Sequence, residues 1–227
     1  MGLRTSKLFA ALAASAALML VGAAGAQAKV VSVTGSTTFT PSTAASQFLS
    51  THGVSVAPTG KATRENGSFV FPIAAGFGNT RTYNGLLAHK GGLKFSKGSR
   101  SAVVRNFVAV RVRGAGAVLL AQIPALRGGC GHLRQGLKAF GLEKARKHPK
   151  ATRRLVRAVR SYCSGGKVIV LARLTNLQKQ TDYNGALLSA DLKLSGQAAR
   201  LLNKLAGQHA VSAGAPLGTA ESRVLLD

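Results

Sequence analysis

The chain predicts a mainly β domain with short helices and one disulfide-closed helical insert. Three observations predict it. Runs of alternating apolar residues recur between Gly- and Ser-containing turns, two brief segments switch to helical spacing, and a cation-rich stretch is bracketed by the only two cysteines, Cys130 and Cys163.

Residues 1–28 read as a cleavable signal peptide. Arg4 and Lys7 supply the positive start, Leu8 to Val21 the apolar stretch and Ala26-Gln27-Ala28 the small-residue cleavage site, so Lys29 begins the mature protein. Ser15 interrupts the apolar stretch, which is too short to span about 30 Å of hydrocarbon comfortably, and this argues against an uncleaved anchor. No Cys follows it to carry a lipid, and no second long apolar run appears. The expectation is a secreted or cell-surface protein whose residues 29–227 form one domain of ordinary size.

Val30 to Thr40, rich in Val, Thr and Ser, predicts a strand, and Pro41 to Ala45 opens a short helix ending near His52-Gly53. Val54 to Pro58 is the next strand. Phe69, Phe71 and Ile73 alternate with Val70 and Pro72, which places three large apolar groups on one core-facing side. Leu86 to Phe95, Val103 to Arg113 and Ala117 to Ile123 are further strands. In the second of these, Val108, Val110 and Val112 alternate with Ala109, Arg111 and Arg113, the pattern of a sheet with one wet face. Lys167 to Leu174 reads as a buried strand, and Tyr183 to Leu194 as one or two more. Ser195 to Leu205 is an amphipathic helix, with Ala198, Leu201, Leu202 and Leu205 on one face and Arg200 and Lys204 on the other. Two similar layouts flank the domain: Thr40 to Gly53 and Leu194 to Gly207 each run strand, short helix, strand. Tyr83-Asn84-Gly85 and Tyr183-Asn184-Gly185 repeat a triplet whose Asn-Gly is common turn chemistry, and turn is the favoured reading over binding site.

The insert, residues 128–166, lies between two Gly-Gly pairs. Export meets an oxidising compartment, so a Cys130–Cys163 disulfide is the default, constraining the unfolded chain by roughly 3 to 4 kcal/mol. A metal pair with His132 and His148 is the alternative. Within the loop, ten Lys and Arg residues face one acid, Glu143. Leu155, Val156, Val159 and Tyr162 form an apolar stripe, whereas Arg153, Arg154, Arg157 and Arg160 point largely elsewhere. Two readings of this basic helix stand: its stripe docks on the sheet with the arginines merely solvated, or the arginines bind anionic envelope polymers or lipids.

Formal charge is +25, falling to +23 once Arg4 and Lys7 leave with the leader. Polyanions are the partners such a surplus attracts, and export disfavours nucleic acid as the physiological one. Six scattered carboxylates supply no acid/base pair, and no Gly-x-Ser-x-Gly elbow, phosphate loop or dense His/Asp cluster is present. The chain therefore reads as non-enzymatic.

Three stretches resemble the HtaA domain of actinobacterial surface proteins, known from haem uptake: Ser68-Phe69-Val70-Phe71-Pro72-Ile73-Ala74-Ala75-Gly76, then Gly85-Leu86-Leu87-Ala88-His89-Lys90-Gly91-Gly92-Leu93-Lys94-Phe95, then Ala213-Gly214-Ala215-Pro216-Leu217-Gly218-Thr219-Ala220. With the strands between them the resemblance covers most of residues 33–224. It implies a β-sandwich-like secreted or surface domain with short helices, and haem or another small ligand as its partner. In haem-binding members a Tyr early in the domain holds the iron, with His residues nearby. His89 falls in the matching His-x-Gly-Gly stretch. Residues 29–58 contain no Tyr, and Tyr83, close in sequence to His89, is the phenol that could take that role.

Overall fold

A computed structural model describes residues 33–78, 85–112, 116–124, 166–182, 185–207 and 210–226. Strand β1 (Val33–Pro41) pairs antiparallel with the last strand, β11 (Pro216–Leu226), from Val33 opposite Leu226 to Pro41 opposite Gly218. Between them run α1 (Thr43–Thr51), β2 (Ser55–Thr59), β3 (Thr63–Glu65), β4 (Ser68–Gly78), β5 (Gly85–His89), β6 (Gly92–Lys97), β7 (Arg100–Val112), β8 (Gly116–Ile123), β9 (Lys167–Asp182), β10 (Gly185–Leu194) and α2 (Gly196–Ala206).

The sheet closes on itself. Strands β7, β5, β4, β1, β11, β10, β9 and β8 hydrogen-bond in that order, and β8 pairs again with β7 to complete an eight-stranded antiparallel barrel. The expected sandwich is thus corrected to a barrel. The physical cause lies in the long strands: register shifts between Arg105 and Val108, between Leu119 and Leu120, and between Ser189 and Asp191 are bulges that bend and coil the sheet until its edges meet. Strands β2, β6 and β3 widen one end. There β7 pairs with β6 through its first half and with β5 through its second, while β3 lies beside β4.

The segment expected as one strand from Leu86 to Phe95 is two, broken at Lys90-Gly91. Gly91 has φ +89, and a Cβ there would lie 2.4 Å from the backbone nitrogen of Ala62; one on Gly92 would lie 2.3 Å from the carbonyl of Val104. Only glycine meets both demands, which is the physical content of the His-x-Gly-Gly stretch.

Phe69, Phe71 and Ile73 are buried as their alternation requires. Phe71 meets Phe107 edge-on, with ring centroids 5.0 Å apart. Full burial of each such side chain contributes about 1.5–3 kcal/mol. Arg111, expected on the wet face of β7, is half-buried and lines the interior cavity instead, because closure turns that face inward.

Both helices start on serine caps. Ser42 accepts from the amide of Ala45, and Ser195 from that of Ala198. The closing motif ties the two together: Ser42 donates its amide to Leu217 and its hydroxyl to Pro216, while Leu194 donates to Ala215. The repeated layout read in the sequence is therefore two strand–cap–helix units meeting at residues 214–217. In sequence the Asn-Gly triplets fall between antiparallel neighbours, β4 and β5, and β9 and β10; of their residues Gly85 and Gly185 are described, and each opens the second strand of its pair.

The leader 1–28, the insert up to residue 165, Tyr83, Cys130, Cys163, Arg153, Arg154, Arg157 and Arg160 lie outside the described residues. No disulfide is found among the described residues. No described helix is long and apolar enough to cross a membrane.

Candidate functional site

A cavity of about 1050 Å³ occupies the barrel interior and continues to the two helices. Its walls are mainly apolar, with Phe39, Phe69 and Phe71 from the barrel, Phe48 from α1 and Leu201 and Leu202 from α2. The sequence places them there by two periodicities. Alternation along β1 and β4 turns Phe39, Phe69 and Phe71 to one side, and helical spacing turns Leu201 and Leu202 off the solvated face of α2. Phe39 stacks against Phe69 with centroids 6.4 Å apart, and the Arg64 guanidinium lies 5.5 Å from the Phe69 centroid, within cation–π range. The volume lies at the upper end of small-molecule pockets, about 300–1000 Å³.

One polar seam crosses this apolar interior. His89 is 3% exposed, and its Nδ1 lies 3.1 Å from the Phe107 carbonyl while its Nε2 lies 2.7 Å from Thr37 Oγ1. A carbonyl only accepts, so Nδ1 carries the proton and Nε2 of the neutral ring accepts from Thr37. Thr37 Oγ1 then accepts from Ser222 Oγ at 2.8 Å. Burial pushes the imidazole down to about 4, against the opposing pull of the Phe107 carbonyl, so His89 is neutral at pH 7.

A bulge supplies that carbonyl. Asn106 sits at φ +55 in β7, donates its amide to Gly91 at 2.8 Å and its side-chain amide to Gln122 Oε1 at 2.9 Å. Arg105 Nε donates to the same oxygen at 3.2 Å. Gln122, 1% exposed, thereby fixes the point where β7 changes partner from β6 to β5.

Of the site residues expected from sequence, His89 is in the cavity wall with both ring nitrogens engaged, and Tyr83 lies outside the described residues. The reading missed Thr37, Ser222, Asn106 and Gln122. A lone Asn inside the apolar run Val103 to Val112 was a signal for the bulge, since Asn tolerates positive φ. Thr37 on the same alternate face as Val33 and Phe39 was a signal for a buried hydroxyl.

The apolar cavity is of the size class that a haem macrocycle needs, and among its described lining residues the one imidazole that could serve the iron is already engaged. All three tyrosines of the chain, Tyr83, Tyr162 and Tyr183, lie outside the described residues, as do Cys130 and Cys163. The described cavity wall offers a single imidazole, and its lone pair is held by Thr37. Turning that ring toward a metal would break its bonds to the Phe107 carbonyl and to Thr37, leaving the buried carbonyl without this donor at about 1–3 kcal/mol, while the Thr37 hydroxyl would keep Ser222.

Fold and cavity together define a closed antiparallel β-barrel with a ligand-sized apolar interior. More particularly, the chain has the fold of the HtaA domain. It is similar to the crystal structure of the C-terminal domain of HtaA from Corynebacterium glutamicum (TM-score 0.56, 14% identity, 87% of this chain and 99% of that one). It is similar also to the N-terminal domain of HtaA from the same organism (TM-score 0.52, 14% identity, 88% and 99%). A third likeness is to the heme binding protein HtaB of C. glutamicum (TM-score 0.50, 10% identity, 87% and 96%). No protein-family model and no curated protein matches the chain. At these identities the likeness is one of fold.

Proposed function

We propose that the protein is an exported, non-enzymatic binding domain that holds haem, or an apolar ligand of haem size, inside its barrel. The observation that carries this reading is the cavity of about 1050 Å³, walled by aromatic and aliphatic side chains from the barrel and both helices. HtaB, a heme binding protein of the same fold, supports the ligand class. Aromatic walls stack on a flat macrocycle, and Arg64, over the Phe69 ring, offers a cation to an anionic substituent. Titration of the purified chain with hemin and with a metal-free porphyrin tests it: saturable one-to-one binding of at least one is expected, and saturation by neither would sink the reading. Export is tested by sequencing the N-terminus of protein recovered from the medium or cell surface, with Lys29 expected first.

A second reading, adhesion to anionic envelope polymer or lipid, is favoured by one observation. Exposed Arg173 and Lys193 sit directly opposite each other on β9 and β10, a like-charged cross-strand pair that a neighbouring anion would relieve. Retention on anionic vesicles that falls steeply with added salt is its expected signature.

A further inference from the structure

We infer that the barrel holds a tetrapyrrole by its macrocycle alone, without ligating iron, so that haem and metal-free porphyrin are bound alike. This rests on the haem-class reading above and sharpens it to iron-indifferent tetrapyrrole binding.

Of the described residues lining the cavity, the single imidazole is that of His89, and the lone pair a metal would need accepts from Thr37 Oγ1 at 2.7 Å. That hydroxyl is itself held, because Ser222 Oγ lies 2.8 Å from it, and the far side of the ring is pinned at 3.1 Å to the Phe107 carbonyl. The ring is therefore braced from both edges by partners on β1 and β7. Strand β1 passes along the cavity with Thr37 and Phe39 facing in and carries no phenol, thiol or thioether. Among the described residues, what remains to recognise the ligand is apolar contact with Phe39, Phe48, Phe69, Leu201 and Leu202 and the cations of Arg64 and Arg111 for its acidic substituents, all of which act alike on a porphyrin with or without its metal.

Hemin and protoporphyrin IX titrated separately into the full chain test the inference, read by Soret absorbance and by porphyrin fluorescence. Dissociation constants within about threefold of each other are expected, and His89→Gln is expected to move both in parallel. Thr37→Val keeps the side-chain volume and removes the hydroxyl from Nε2; in it hemin is expected to gain about tenfold over protoporphyrin IX, with a shifted Soret band. Circular dichroism of each variant reports whether the barrel is intact. Hemin bound more than about tenfold tighter than protoporphyrin IX by the unaltered chain, with a Soret shift lost in His89→Gln or Tyr83→Phe, overturns the inference and leaves haem binding standing. A Thr37→Val chain with the parent's selectivity overturns the role given to that hydroxyl. Saturation by neither porphyrin overturns both this inference and the function beneath it.

Discussion

Thr37 Oγ1 stands 2.7 Å from His89 Nε2, across 52 residues of sequence. Their strands are not neighbours, since β4 runs between them with Phe71 opposite Thr37 and Ile73 opposite His89. The link is a strut over the inner face of β4. Extended through Ser222 and the Phe107 carbonyl, it joins β11, β1, β5 and β7, four of the eight strands of the ring. A polar chain in an apolar interior stabilises only when every member is paired, and here each donor has its acceptor.

The strut makes stability depend on pH. Its imidazole is lowered from the usual 6.5 to about 4, so between those values the unfolded chain binds a proton that the folded chain refuses. The contribution is fully present above pH 6.5 and is lost as pH falls toward 4, by about 3 kcal/mol in total. Denaturant midpoints measured across that window should fall with acid, and His89→Gln should flatten the slope. An unchanged slope in that variant would assign the acid sensitivity elsewhere.

Gln122→Met keeps the volume but withdraws the oxygen that accepts from both Arg105 and Asn106. The Asn106 amide is then unpaired next to the bulge, at a cost of about 1–3 kcal/mol. Chemical denaturation should show this loss. Because the bulge also presents the Phe107 carbonyl, the NMR shifts of the His89 ring protons should move with it.

Gly91→Ala combines a positive φ with a Cβ set 2.4 Å from the Ala62 nitrogen, a backbone atom that cannot step aside. Strain of this kind costs about 1–3 kcal/mol before the clash is added. The variant should unfold at least 10 °C lower or accumulate insoluble, whereas Gly53→Ala, also at positive φ (+64) but with nothing within 4 Å of its added carbon, should lose only the conformational strain and not the clash.

Much of this was legible in the chain. Alternation at Phe69, Phe71 and Ile73 located a buried strand, and Ser195 with the spacing of Ala198, Leu201, Leu202 and Leu205 located α2 and its start. Those signals are local, and local physics sets them. Closure was not legible, because it depends on β7 pairing at once with β5 and β8, and the bulges that permit it leave only an Asn in a valine run as a trace. His89 was found through a motif, yet its role was not: the residues that engage it, Thr37 and Phe107, are brought to it by long-range pairing that no spacing encodes.

Helix α1 separates binding from stability. It has no buried residue, yet Phe48 lines the cavity and stacks on His52 at 4.4 Å, so its ring serves the cavity wall more than the core. Phe48→Ala should therefore weaken porphyrin binding by about tenfold, the loss of one aromatic contact. Because so little of the helix is buried, the same change should move the unfolding free energy by less than about 1 kcal/mol. Parallel titration and denaturation of one preparation check both halves. Equal losses of affinity and stability would place Phe48 in the folding core and remove α1 from the ligand's wall.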